Sequence, residues 1–537
     1  MPISTWAALN GTDQNDTLLA DFAAADALYQ YNDVFTTSWN RDVYGFGGDD
    51  NILRDRPGDY KTSSWNGNVD IFGDTSETDS GGYDTVFYSL FGAGIDVDLG
   101  ATTAYGIVEA RWTPAGETIY GQDRLHNIEG IVGSNYSDVM QGDDADNTFH
   151  GLEGNDTLKG GDGNDSIYGG EGTNTIHGEQ GHDTLSIGSG GQAYGGYGDD
   201  TIYGSNSADV IDGGVGADVI YGYGNNDTLT GFTGEDTIDG GSGFDTVKEL
   251  AVNGVTVVLT GAGNGFLTAY GEDDEIDNIE AFETGTGDDN FYFVDGNYYV
   301  DSGGGDDFAN MGAGNDTFSG GSGDDEAHGG NDADYLLGEG NDDDLFGDGG
   351  NDSLYGGSGK DKLTGGSGND FLEGGSGEDA FVFDSANTGV DYIKDFVIGV
   401  DTITIKPGFL ADHPGIGGNF IGEVFAVAAP LPPTAPPMTL LYADTVDGYR
   451  HFATLENVHV GQANAAIMNS SLFYKSGGGI GGDWDFSDLP DNQFGDGGGF
   501  GGDLRSDERL VVPDRDGVED MRLGDAAGGQ VLSDALF

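Results

Sequence analysis

Twenty aspartates occupy one recurring place in this 537-residue chain, and together they could hold metal ions. They are Asp138, Asp156, Asp165, Asp183, Asp200, Asp209, Asp218, Asp227, Asp236, Asp245, Asp289, Asp307, Asp316, Asp325, Asp334, Asp343, Asp352, Asp361, Asp370 and Asp379. Each is the sixth residue of a nine-residue unit, G-G-x-G-x-D-x-U-x, in which U is apolar. Gly160–Tyr168 reads GGDGNDSIY, Gly213–Tyr221 reads GGVGADVIY, Gly356–Thr364 reads GGSGKDKLT and Gly365–Glu373 reads GGSGNDFLE. Six units run from Gly133 to Ser186, an eight-residue unit spans Ile187–Tyr194, and six more run from Gly195 to Lys248. A second array of eleven runs unbroken from Thr284 to Val382. All 23 nonamers keep an apolar residue at position eight. Position six departs from Asp only at Asn147, Asn174 and Tyr298.

The spacing suggests the chemistry. If two units make one turn of a flattened coil, equivalent aspartates lie one strand spacing apart, roughly 4.8 Å. Uncompensated carboxylates at that distance repel, and a hard divalent cation between the turns converts the repulsion into attraction. Carboxylates and backbone carbonyls make an all-oxygen site suited to Ca²⁺ rather than to softer metals. The expected pairs include Asp138 with Asp156, Asp200 with Asp218, Asp209 with Asp227 and Asp316 with Asp334. Asp352 with Asp370 and Asp361 with Asp379 should behave likewise. Asn147 and Asn174 keep an oxygen but lose the charge, which predicts weaker sites, and Tyr298 should leave its site empty.

The rest of the unit must position these side chains. Glycines in the first four places permit the φ > 0 that a tight turn needs. The x-U-x triplet is extended, with its middle residue turned inward. Leu158, Ile167, Ile176, Leu185, Ile202, Ile211, Ile220 and Leu229 are such residues in the first array. Stacked turns then give two parallel sheets facing each other across a thin apolar core. One inward side chain per strand is too little for a turn to stand alone. The fold class predicted is all-β: parallel β-roll arrays separated by small β capping modules, with a flexible C-terminal tail.

Composition narrows the partners. Acidic residues outnumber basic ones 96 to 18, a formal charge of −78. Such a chain repels itself when compacted. Its charge argues against nucleic acid and anionic membrane surfaces as partners and favours cations. There is no cysteine, so bound metal is the available staple in place of disulfides. The opening residues lack the basic start and apolar stretch of a secretory signal peptide. No segment approaches the ~20 apolar residues of a transmembrane helix.

The units resemble the RTX (repeats-in-toxin) nonapeptide family of hemolysin-type calcium-binding repeats. The resemblance implies a parallel β-roll, Ca²⁺-dependent folding and export by type 1 secretion machinery to the extracellular side. Two further segments fit it as one module used twice. Asp84–Ser134 contains DTVFYSL, IDVDLG and DRLHNIEGIVGS, and Asp245–Gly285 contains DTVKEL, VTVVLT and DEIDNIEAFETG. Asp391–Ile405 resembles the family's closing cap, and Thr439–Leu455 the strand segment that follows it. The last residues, Asp534-Ala535-Leu536-Phe537, resemble an uncleaved type 1 signal. The chain divides accordingly. Residues 1–132 read as a degenerate RTX-like region plus capping module, 133–248 as the first roll, and 249–283 as an inter-array module. Residues 284–382 read as the second roll, 383–475 as a C-terminal β cap, and 476–537 as a Gly-rich linker with the secretion signal.

No catalytic motif is recognisable. H-E-x-x-H, G-x-S-x-G and P-loop patterns are absent from the sequence. His150, His177, His182 and His328 read as surface residues of the roll, and Trp6, Trp39 and Trp65 as packing residues. The reading is a non-enzymatic, secreted Ca²⁺-binding protein with a structural, surface-layer, matrix or adhesion role. Its partners would be calcium, the secretion machinery, and cell-surface polysaccharide or further copies of the chain. The alternative is an extracellular polysaccharide-active enzyme or polysaccharide-binding module carried on the repeats, with its site in residues 1–132.

Overall fold

A computed structural model describes residues 128–384 and 389–405 continuously, with shorter stretches between 33 and 126 and between 424 and 458. Among the described residues there is no helix, and the strands form a parallel β-solenoid of about 15 turns. Consecutive units alternate between two sheets. Val139–Gln141, Thr157–Asp162, Asn174–Gln180, Gly191–Tyr197, Val210–Val215, Thr228–Thr233 and Thr246–Glu249 pair in parallel in the first sheet. Gly130–Val132, Thr148–Glu153, Ser166–Glu171, Thr184–Ser186, Thr201–Ser205, Val219–Tyr223 and Thr237–Asp239 do so in the second.

Position eight fixes the register. Met140, Leu158, Ile176, Ala193, Ile211, Leu229 and Val247 align across the first sheet. Phe149, Ile167, Leu185, Ile202, Ile220 and Ile238 align across the second. All are fully or almost fully buried and belong to one continuous core cluster that runs on through the second array. Burial of one such side chain contributes roughly 1.5–3 kcal/mol, so the core accumulates only by stacking. The eight-residue unit keeps this register, with Asn174 opposite Gly191 and Ile176 opposite Ala193. Its missing residue is absorbed in the turn.

Glycine is required where the turn runs left-handed. Positions two and four take positive φ, as at Gly161 (112°) and Gly163 (113°). In three of the units whose position four lacks glycine, Asn225, Asp332 and Asn341 take the left-handed conformation, which these residue types tolerate; Tyr136, Ala145 and Ser207 at the same place do not take it. Leu152, Glu179, Tyr223, Phe232, Glu339 and Asp348 stand at position two with φ of 61–80°, and these units carry local strain.

The segment between the arrays leaves the first sheet uninterrupted: Thr246–Glu249 pairs in parallel with Ala281–Thr284, which pairs with Tyr299–Asp301. The second sheet receives an antiparallel meander, Thr256–Gly261, Asn264–Ala269 and Glu272–Asp277. Its third strand pairs with Thr237–Asp239 and its first with Asn290–Tyr292, both in parallel. The earlier copy of the module has the same pairing with the sheets exchanged. Thr85–Phe87 passes directly to Gly130–Val132 in the second sheet, while Ile95–Asp98, Val108–Trp112 and Gly121–His126 form the meander in the first.

Beyond the second array, Asp391–Ile393 and Thr402–Ile405 add one strand to each sheet. Gly448–Glu456 pairs with Asp391–Ile393 and closes an antiparallel hairpin with Met438–Thr445. The three N-terminal tryptophans, the Pro-rich stretch and residues 476–537 lie outside the described residues.

Candidate metal centre

The turn that precedes each strand delivers its position-six aspartate into the edge of the solenoid. All twenty are buried, with 0–3% exposure. In seventeen of them one carboxylate oxygen, Oδ1, accepts the backbone N–H of the position-six residue one turn earlier; in Asp138, Asp209 and Asp289 it accepts from Ile95, Gly191 and Val255 instead. Asp138 N–H donates to Asp156, Asp200 to Asp218, Asp209 to Asp227, Asp316 to Asp334, Asp352 to Asp370 and Asp361 to Asp379, at 2.7–3.1 Å. Each of these couples therefore occupies adjacent turns. The second oxygen, Oδ2, is buried without a hydrogen-bond partner in all twenty except Asp138 and Asp379. A buried carboxylate oxygen left unpaired is costly, and the same defect recurs turn after turn.

Oδ2 faces the position-one glycine of its own unit. A Cβ on Gly160 would lie 2.0 Å from Asp165 Oδ2 and 2.7 Å from the Gly178 carbonyl oxygen on the next turn. On Gly195 it would lie 2.4 Å from Asp200 Oδ2 and 2.3 Å from Gly213 O, and on Gly347 2.5 Å from both Asp352 Oδ2 and Gly365 O. These points stand at about the 2.3–2.6 Å at which Ca²⁺ binds oxygen. Glycine keeps the cradle open, and the oxygen donors suit a hard cation. Among the described residues no three acidic or imidazole side chains converge on one point. A cation here would therefore rely on backbone carbonyls for much of its shell.

Burial drives the ladder carboxyls upward from their ordinary 3.8. Asp156, Asp165 and Asp200 reach about 7, and Asp218, Asp343 and Asp352 about 8, with burial the largest cause. The backbone N–H donated from the preceding turn pulls down, and neighbouring aspartates push up further.

Departures from the motif have physical reasons. Asn174 keeps its place, with Oδ1 accepting from Asp156 N–H (3.0 Å) and Nδ2 donating to the Ile187 carbonyl (2.9 Å), so an amide bridges the turns there. Asn147 Oδ1 accepts from Asp143 N–H (3.0 Å). Tyr298 brings an aromatic ring to position six. Its ring packs on Phe293 at position one of the same unit (centroids 4.7 Å), and its hydroxyl accepts from Gly263 N–H (3.1 Å). An aromatic pair thus fills the cradle. In the neighbouring units the position-one residues are Thr284, Ser302 and Met311 instead of glycine. Thr284 and Ser302 donate across the turn to the carbonyls of Ser302 (3.2 Å) and Gly320 (3.1 Å).

Other ladder members carry no glycine signature. Asp274 accepts from Asp236 N–H (3.0 Å), Asp391 from Asp370 (3.2 Å) and Asp401 from Asp379 (3.2 Å). Each precedes an x-U-x triplet, EID, YIK and TIT, which is the part of the motif that survives. The glutamates of the two Ile-Glu pairs do the same work with one more methylene: Glu129 Oε2 accepts from Asp84 N–H and Glu280 Oε2 from Asp245 N–H, both at 2.9 Å. Glu249, buried at a position-one place, is pushed up to about 7 by burial and then by Asp274.

The four array histidines lie on the turns and outer faces, where three of them stack on aromatic rings. His150 and His177 stack on Tyr168 and Tyr194 (4.7 Å each), and His328 stacks on Phe346 (4.4 Å). His182 is exposed on a turn.

Comparison with known proteins bears on these arrays. The RTX calcium-binding nonapeptide repeat, in its four-copy form, matches residues 131–158, 150–185, 194–229, 215–247, 311–345, 319–354 and 346–381. The stretch between 248 and 310, where aromatic and hydroxyl side chains replace the position-one glycines, is not matched. No curated protein matches. A solved structure that does is the solution structure of the AlgE6R3 subunit of the Azotobacter vinelandii mannuronan C5-epimerase, 27% identical over 29% of this chain and 89% of that one, with a TM-score of 0.20. Among the described residues no helix is long and apolar enough to cross a membrane. The matched residues in both arrays are RTX calcium-binding nonapeptide repeats.

Proposed function

We propose that this chain is a secreted protein that folds on Ca²⁺ outside the cell and then serves a structural role in a surface layer, matrix or adhesive contact. The observation that carries the reading is the row of buried Oδ2 atoms without hydrogen-bond partners, all but those of Asp289, Asp307 and Asp316 beside a position-one glycine. A charge of −78 and carboxyls this buried oppose compaction at neutral pH unless cations enter. Where Ca²⁺ is scarce the chain stays expanded and can be threaded through a type 1 exporter. Where Ca²⁺ is millimolar, sites of ~10⁻⁴ to 10⁻³ M affinity fill and the turns stack. The twenty position-six aspartates are the ligands in this reading, and cell-surface polysaccharide or further copies of the chain are the contacts its folded surface would make.

Far-UV circular dichroism through a Ca²⁺ titration, with Mg²⁺ as control, tests the folding step. A cooperative coil-to-β transition with Ca²⁺ and none with Mg²⁺ is expected. A chain already rich in β-structure in excess chelator at neutral pH would overturn the account.

A further inference from the structure

Each strand of the roll turns its position-eight residue inward, so the residues on either side of it, at positions seven and nine, face out. Neither the core nor the turn constrains them. In the first sheet the first array sets threonine, glutamine or valine at position seven, as at Thr157, Thr175, Gln192 and Val210. Four later strands of that sheet depart from this. Tyr335–Gly340, Ser353–Gly359, Phe371–Gly377 and Asp391–Ile393 pair in parallel as successive neighbours. Tyr335, Tyr355, Phe371 and Tyr392 stand one on each, with ring centroids 5.0, 5.5 and 5.7 Å apart along the row. Tyr335 is 41% exposed and the other three are half-buried.

Cross-strand ring pairs stabilise a sheet, but stability alone does not call for the polar groups that border this row. The hydroxyls of Tyr335 and Tyr355 are hydrogen-bonded to each other, and that of Tyr392 to Glu456. Lys394 Nζ lies over the Phe371 ring (5.8 Å) and donates to Glu373 Oε2 (2.7 Å). The row is therefore apolar along its middle and polar at its margins.

Three features select a partner. The row is narrow and follows the roll axis over four strands, roughly 14 Å at the ordinary strand spacing, which suits an extended polymer and not a compact protein face. Rings bordered by hydroxyls and carboxylates match a pyranose, which has an apolar C–H face and a polar rim. Lys394 is already held by Glu373 and the chain carries a charge of −78, so an anionic polymer is repelled.

We propose that Tyr335, Tyr355, Phe371 and Tyr392 form a platform for a neutral polysaccharide chain lying along the roll. The inference rests on the reading above that the folded surface meets polysaccharide. It narrows that contact to an uncharged polymer and to one stretch of the first sheet, shared between the second array and the strand Asp391–Ile393 that caps it.

Retardation of the full chain in Ca²⁺-containing native gels cast with polysaccharide tests it. The neutral probes are hydroxyethylcellulose, laminarin and galactomannan, and carboxymethylcellulose is the anionic comparison. Retardation by at least one neutral polymer and none by carboxymethylcellulose is expected. Tyr355→Ser and Phe371→Ser should each weaken binding about tenfold. Phe371→Tyr keeps the ring and should bind as the wild type does. Circular dichroism in Ca²⁺ shows that each variant compared retains the roll. Undiminished retardation of both serine variants would overturn the proposal and place any polysaccharide contact elsewhere. A wild type that folds in Ca²⁺ yet ignores all three neutral polymers would overturn it and the polysaccharide reading together, with the calcium reading intact. A wild type without β-structure in Ca²⁺ would mean that the calcium reading itself had failed. A wild-type dimer in light scattering that both serine variants lose would make the row a contact between copies and would also overturn the proposal.

Discussion

The cradle hypothesis makes a quantitative claim about Gly347. An alanine methyl there would stand 2.5 Å from both Asp352 Oδ2 and the Gly365 carbonyl, the point a cation would occupy. Gly347 is not among the left-handed residues, so Gly347→Ala adds no backbone strain of that kind. If the site binds with ~10⁻⁴ to 10⁻³ M affinity, at 10 mM Ca²⁺ it contributes RT ln(1 + [Ca²⁺]/Kd), about 1.4–2.7 kcal/mol. Gly347→Ala should lose that amount in addition to any steric cost. Gly340→Ala is the control, because its methyl would come no closer than 3.4 Å to another atom. The assay is urea unfolding at a series of Ca²⁺ concentrations, plotted as stability against ln[Ca²⁺]. The Gly347→Ala line should be shallower than wild type by about one ion, so the deficit grows with Ca²⁺. The Gly340→Ala line should overlie the wild type. Parallel lines for wild type and Gly347→Ala would mean that the methyl causes only crowding, and the cradle would not be a cation site.

Three further outcomes are expected. Burial raises Asp156 and Asp165 to about 7 and Asp218, Asp343 and Asp352 to about 8 in the folded state against 3.8 unfolded, so their protonated form favours folding; this stabilisation is complete below about 4 and lost as pH rises through 7–8. Chelated protein should therefore gain β-signal in circular dichroism when acidified from about pH 9 to 5, and a loss of signal would contradict the burial argument. Glu179→Gly relieves a φ of 80° at the expense of a 3.9 Å ion pair with Lys159; it should raise stability at saturating Ca²⁺ by about 1 kcal/mol in urea unfolding, and a decrease would show that the strain is not real. Phe293→Gly combined with Tyr298→Asp replaces the aromatic pair with a cradle. The double variant should be less stable than wild type in low Ca²⁺ and steeper in its Ca²⁺ dependence, and an unchanged slope would refute the view that the pair stands in for a cation.

The array fold was legible because every element of the unit answers a separate physical demand. Glycine permits the left-handed turn, the apolar residue fills the core, and aspartate returns at 18-residue intervals to the same edge. Where one demand is met by other means, the period becomes unreadable. Asp274 sits in GEDDEID, without the glycine spacing, because the meander and not a tight turn presents it. Glu280 reaches the place of an aspartate from a strand start offset by the inserted residues, and only its Ile-Glu context marks it. The Phe293–Tyr298 pair satisfies the cradle through packing, a partnership invisible until both residues are seen to share one unit's first and sixth positions. The meanders were visible as strands, but their antiparallel pairing within a parallel coil had no local signal.

The exchange of sheets between the two copies of the module follows from parity. From Gly133 to Lys248 the chain lays down twelve nonamers and one eight-residue unit, an odd number of strands. Successive strands alternate faces, so the second copy arrives on the opposite side from the first and grows its meander there. Gain or loss of a single unit within that stretch would turn the module, and everything downstream, to the other face. Gain or loss of two would lengthen or shorten the roll and leave every downstream surface facing as before. Array length in this architecture is thus free to drift in steps of a full turn, while half-turn steps rewrite which face of the molecule meets its surroundings.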